Sequence, residues 1–121
     1  VLVIDRHGAV LLLVLALGTA PASAPAQDES TMTEAKELFS EGVDQFKDGK
    51  HAQALESFKK SFELRPHWRL HLNIGLCFME LSMYAEARAE FDAFLAEGKD
   101  EIDASQLDMV ESAIKELDAI T

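Results

Sequence analysis

Two stretches of this chain repeat one another at an offset of 33 residues: Gly42 recurs as Gly75, Ala54 as Ala87 and Phe58 as Phe91. The intervals inside the two stretches are identical, so the chain is built from copies of one supersecondary unit that hides its apolar face by stacking on the next copy. Each constant residue has a packing reason. The glycine lets one helix approach its neighbour, the alanine permits a close crossing, and the phenylalanine fills the wedge behind them.

Apolar residues inside each copy recur at three- and four-residue spacing, the signature of one face of a helix. Leu38, Phe39, Gly42, Val43 and Phe46 mark a first helix over Glu34–Lys47, with Thr33 as its N-cap and Asp48-Gly49 as its stop. A second helix is expected over His51–Leu64, ended by Pro66, with a third over His67–Leu81 and a fourth over Met83–Ala96. Gly98-Lys99-Asp100 breaks the chain, and Asp103 caps a fifth helix over Ala104–Ile120 that carries Leu107, Val110, Ile114 and Leu117. No segment alternates with period two for long enough to be a strand, so the expected class is all-α.

The N-terminal residues have a different character. Asp5, Arg6 and His7 precede an uncharged run from Gly8 to Leu17, and small residues with Pro21 and Pro25 follow. A charged start, an apolar core and a small-residue region are the order of a secretory signal. Ala22-Ser23-Ala24 and Ala24-Pro25-Ala26 both offer cleavage sites, and Pro25 just beyond Ala24 disfavours the first, so the cut is expected after Ala26. The apolar core is shorter than the roughly 20 residues of a spanning helix. Membrane contact is therefore expected only if this segment stays uncleaved. The organisation read from the sequence is a signal peptide over 1–26, a polar linker over 27–33, two repeats over 34–66 and 67–98, and a capping helix over 99–121.

The first copy reads Leu38, Gly42, Gly49, His51, Ala54, Phe58, Ser61 and Pro66, and the second Gly75, Phe78, Tyr84, Ala87 and Phe91. This pattern resembles the tetratricopeptide repeat, a helix-turn-helix unit of about 34 residues. The resemblance covers residues 35 to 98, with departures at Glu41, His71 and Phe94. It implies an α-α superhelix of two repeats plus a C-terminal capping helix. It also implies a concave groove lined by Lys36, Phe39, Val43, Phe46 and Lys47 on the first helix and by Arg69, Leu72, Asn73, Leu76 and Met79 on the third. Most of these are apolar, and Phe39 and Val43 stand where some members carry a basic-asparagine carboxylate clamp. The implied ligand is an apolar peptide or helix. Together with the leader, the pattern is similar to exported bacterial tetratricopeptide proteins, some of which continue into a further envelope-associated domain.

The other chemistry suggested by the residues is weaker. His67 and His71, four apart, lack a third metal ligand at a fitting spacing. Cys77, the single cysteine, falls among Ile74, Phe78 and Leu81 as a small buried hydrophobe and allows no internal disulfide. Asp100 to Glu111 has the acid content of a calcium loop, but Ile102 and Ser105 stand at a ligand and the glycine position. Glu86 and Glu90 are most simply a solvated face. The 121 residues hold 11 Lys+Arg against 22 Asp+Glu, a net charge of −11 that opposes phosphate contacts. That charge is uneven: Gln27 to Met79 holds 9 acids and 7 bases, and Glu80 to Thr121 holds 12 acids and 3 bases. The expected function is thus a non-enzymatic protein-interaction scaffold of the periplasm or cell envelope, without cofactor, metal or nucleic acid. The alternative is a structural oligomerisation module, or the N-terminal part of a longer envelope protein.

Overall fold

The computed structural model describes residues 28–120, and the expected leader over 1–26 lies outside them. The chain forms two units, residues 1–33 and 34–121. In the first, residues 28–33 are helical, and the Thr33 hydroxyl donates to the Glu29 carbonyl at 3.0 Å. A hydroxyl bonding four residues back belongs to a helix interior. Thr33 is therefore not the expected N-cap, and the described part of the 27–33 segment is helix in place of a linker without structure.

The second unit contains α1 (residues 34–47), α2 (His51–Leu64), α3 (Leu70–Glu80), α4 (Tyr84–Gly98), a single 3-10 turn (Lys99–Glu101) and α5 (Ala104–Ile120). It is all-α, with no strand among the described residues. No described helix is long and apolar enough to cross a membrane.

The 33-residue repeat extends to the backbone. Gly49 ends α1 with φ 79°, and Ser82 ends α3 with φ 60° at the matching position. The Lys50 amide donates to the Gln45 carbonyl at 2.8 Å, and the Met83 amide donates to the Phe78 carbonyl at 2.8 Å. One residue earlier, the Gly49 and Ser82 amides donate to Phe46 and Met79, each at 3.0 Å. Both turns are Schellman motifs, in which a left-handed residue lets two amides satisfy the last helical carbonyls. The residues that start the next helix, Lys50 (φ −90°, ψ 68°) and Met83 (φ −94°, ψ 74°), share one conformation.

The connection between the copies obeys different chemistry. Arg65 is extended (φ −142°, ψ 90°), as the residue before a proline prefers. The amides of Leu70, His71 and Leu72 then bond to carbonyls three residues back. This tight entry delays α3 to Leu70, later than the His67 expected from periodicity. At the other end, Asp103 Oδ1 accepts from the Gln106 amide at 2.8 Å and caps α5.

The core joins Ala54 and Phe58 of α2, Leu70, Ile74, Cys77 and Phe78 of α3, Ala87, Phe91 and Phe94 of α4, and Val110 and Leu117 of α5. A Cβ built on Gly42 would lie 2.7 Å from the Phe58 ring, and one on Gly75 would lie 2.6 Å from the Phe91 ring. Each ring therefore rests on glycine backbone. The next layer shows a size exchange. In the first copy the Ser61 hydroxyl donates to the Ala35 carbonyl at 2.8 Å. The matching positions in the second copy are Phe94 and Trp68, with ring centroids 5.2 Å apart. A large pair replaces a small one, and it is accommodated at Gly98, where a Cβ would lie 2.5 Å from the indole.

Both outer edges of the array are polar. Leu70, Ile74 and Cys77, which α3 buries, correspond to Glu37, Glu41 and Asp44 on α1, all exposed. On α5, Leu107 and Val110 take the places of Ile74 and Cys77, and Val110 is fully buried in the core, whereas Asp108 takes the place of Gly75 and is exposed. Arg88 of α4 holds α5 by donating to Asp118, and its Nε donates to Asp92 at 3.3 Å. These two hydrogen bonds raise the Arg88 pKa above its ordinary value.

Gly75→Ala gains about 1 kcal/mol of helix propensity but forces a methyl into a fully buried ring, at a cost of about 1–3 kcal/mol. Since Phe91 has no exposed side on which to move, urea unfolding should show net destabilisation. The double variant Gly75→Ala/Phe91→Leu should recover part of that loss. Stabilisation by the full propensity gain of about 1 kcal/mol would contradict the contact.

Candidate functional site

The sequence analysis singled out ten groove residues, and the fold divides them. Val43, Phe46 and Lys47 of α1 and Asn73 and Leu76 of α3 meet around one open hollow of about 130 Å³, with Phe58 of α2 as the sixth lining residue. Lys47 is its one charged lining residue, and no carboxylate lines it. The hollow exists because α1 and α3 present the same helical position to the same side: Val43 and Leu76 are one repeat apart, and both remain partly uncovered.

The other five expected residues lie around or away from this hollow. Phe39, 39% exposed, packs against Phe58 with ring centroids 5.6 Å apart and borders the same face. Met79 is half-buried against the core, and Lys36 is exposed. Leu72 is only 8% exposed, so it belongs to the core and does not line a groove. Arg69 is drawn over the Trp68 ring, 4.6 Å from its centroid. That cation–π contact holds its guanidinium toward the indole.

The histidines also separate. His67 Nδ1 accepts from the Arg69 amide at 3.1 Å, and its ring stacks on Trp68 at 5.8 Å. His71 turns toward α4, with Nδ1 2.8 Å from Glu90 Oε1 and Nε2 3.2 Å from Glu97 Oε2. The two carboxylates sit on opposite sides of the imidazole, so they clasp α3 to α4 and do not converge on a shared ion. Among the described residues no group of three His, Cys, Asp or Glu side chains could hold a metal. Glu90 thereby has a structural partner across helices, which helical spacing alone did not suggest.

Two further hollows are larger. One of about 250 Å³ is lined by Lys59, Phe62, Glu63, His71, Ile74, Phe78 and Glu90. Phe62 and His71 there are in ring contact at 5.2 Å. The other, of about 430 Å³, is lined by residues of α2 alone, from Ala52 to Glu63. In both, lysines and glutamates are mixed. Cys77 is fully buried. Burial, and after it the charge of Glu80, push its thiol up from 9.0 to about 12.

Sequence reasoning missed Trp68 altogether. Its signal was present as a joint change at three repeat-related positions: Ala35, Ser61 and Arg65 become Trp68, Phe94 and Gly98. Arg88 and Asp118 were also missed, because a long-range ion pair leaves no periodic trace.

The fold thus defines an all-α array of repeated helical hairpins, closed by a fifth helix, with one apolar hollow between its first and third helices. Comparisons with protein-family models, curated proteins and solved structures gave no match.

Only the thiolate of a cysteine is a strong nucleophile, so Cys77 should resist a thiol reagent at neutral pH until the protein is unfolded. The pH dependence has a fixed sign. Below pH 9.0 the thiol is protonated in both states; from there to about 12 only the unfolded chain releases the proton, so stability falls as pH rises. Urea unfolding at about pH 8 and about pH 10 should show a drop that Cys77→Ala reduces.

Proposed function

We propose that this chain is an exported, tetratricopeptide-like scaffold without catalytic activity, whose face between α1 and α3 receives an apolar peptide or helix from a partner in the periplasm or cell envelope. The observation that carries this reading is the hollow itself. Val43, Phe46 and Leu76 stay partly uncovered at repeat-related positions although the core beside them is closed. Partly uncovered apolar side chains converging on one concavity are how recognition grooves for helices are built. The resemblance in Gly42, Ala54 and Phe58, in their counterparts Gly75, Ala87 and Phe91, and in Pro66 of the first copy alone supports the family reading. The order of Asp5–His7, the apolar run to Leu17 and the Ala-x-Ala sites supports export.

A second reading, self-association, is favoured by one observation: α5 leaves Met109 46% and Ile120 53% exposed. Light scattering over protein concentration separates the two. A monomer throughout supports the partner groove, and concentration-dependent growth supports the oligomer.

The double variant Phe39→Ala/Leu76→Asp tests the groove, because both residues are at least partly exposed and their loss leaves the deep core intact. Immobilised parent protein should retain a partner from an envelope extract that the folded variant, checked by circular dichroism, does not. Equal retention by both would overturn the reading.

A further inference from the structure

The hollow between α1 and α3 has an electrostatic character opposite to that of the whole chain. The protein carries a net charge of −11, yet Lys47 is the one charge lining the hollow. A second cation shares that face of α1. Lys36 and Lys47 stand seven residues before and four after Val43, spacings that place all three on one helical stripe. Both lysines are exposed. The nearby carboxylates of α1, Glu37, Glu41 and Asp44, occupy the positions by which α3 packs on the preceding hairpin, and so point along a different edge of the helix; on α3 the exposed Glu80 stands at the repeat position of Lys47, and against this single carboxylate the two lysines leave the face net positive. The amide of Asn73 supplies the remaining polar group of the lining.

We infer that the preferred occupant of this hollow is an acidic amphipathic helix, which inserts one aliphatic side chain between Val43 and Leu76 and sets carboxylates against Lys36 and Lys47. This rests on the groove reading above and adds the charge of the partner to it. The volume of about 130 Å³ has room for a single large aliphatic side chain. Charge complementarity selects what flanks that side chain. Salt screens exposed charges beyond about 8 Å at physiological ionic strength, so the two lysines beside the bound peptide outweigh the more distant acidic C-terminal half. A rule based on net charge would predict the reverse preference, for a basic peptide.

The test uses three synthetic helical peptides of about five turns with the same leucine stripe, flanked by glutamate, glutamine or lysine. Titration into the full chain by fluorescence anisotropy should give the order glutamate, glutamine, lysine, with about a ten-fold span between the ends. That span should shrink between about 0.05 M and about 0.5 M salt. The double variant Lys36→Glu/Lys47→Glu, at two exposed positions that leave packing untouched, should reverse the order, and Leu76→Asp should abolish binding of all three. Equal binding, or a preference for the lysine peptide, would overturn the charge assignment and leave the apolar groove standing. Failure of every peptide to bind would overturn both. Self-association of the chain that blocks the glutamate peptide would overturn the assignment in favour of a second copy.

Discussion

An aromatic ring set directly against glycine backbone determines how near two helices of a hairpin can come. Phe58 meets Gly42, and Phe91 meets Gly75, each at a separation where a single added methyl would collide with the ring. The close crossing brings Ala54 and Ala87 to complete burial, and it fixes the direction in which the next helix must leave. Because the contact occurs twice in the same register, α1 and α3 present matching faces. Val43 and Leu76 then fall side by side, and the hollow is a consequence of the repeat. No residue needs to be held in strain to form it.

The two copies are alike in their hairpin turns and unlike at their ends, and the differences have a common logic. Inside the array, positions that meet another hairpin are apolar: Leu70, Ile74 and Cys77 on α3 and Val110 on α5. At the outer edges charged residues stand instead: Glu37, Glu41 and Asp44 at these positions on α1, and Asp108 at the Gly75 position on α5. Trp68, Phe94 and Gly98 form a thicker layer where α4 gives way to the 3-10 turn, and Ile102 reaches back to the same glycine. The polar clasp of His71 with Glu90 and Glu97 and the pairing of Arg88 with Asp118 add directional ties between helices that the apolar core leaves rotationally loose.

Much of this was legible in the sequence, and the reasons are local. The bounds of α2 and α5 follow from signals within one turn of their ends: a proline after Leu64 and an aspartate before Ala104. The Gly-Ala-Phe offset reported the two hairpin crossings because identical packing demands identical residues. Thr33 was misjudged as an N-cap, since it has the composition of a cap and only its bond to Glu29 shows that it lies inside a helix. Ser82 was invisible as the counterpart of Gly49 because a serine does not advertise a left-handed backbone. For the groove, helical spacing located the right face of α1 and α3, and it failed at Leu72 and Arg69. Those two are diverted by tertiary partners, the core and the Trp68 ring, that periodicity cannot reveal.

One packing contact, used twice, sets both the repeat of the hairpins and the hollow between α1 and α3. Proton NMR reads that contact directly. The α-protons of Gly42 and Gly75 that point toward the rings should be displaced from random-coil shifts by ring currents and should show nuclear Overhauser effects to the Phe58 and Phe91 ring protons. Random-coil shifts with no such effects at either glycine would contradict the repeat geometry, and with it the origin of the hollow.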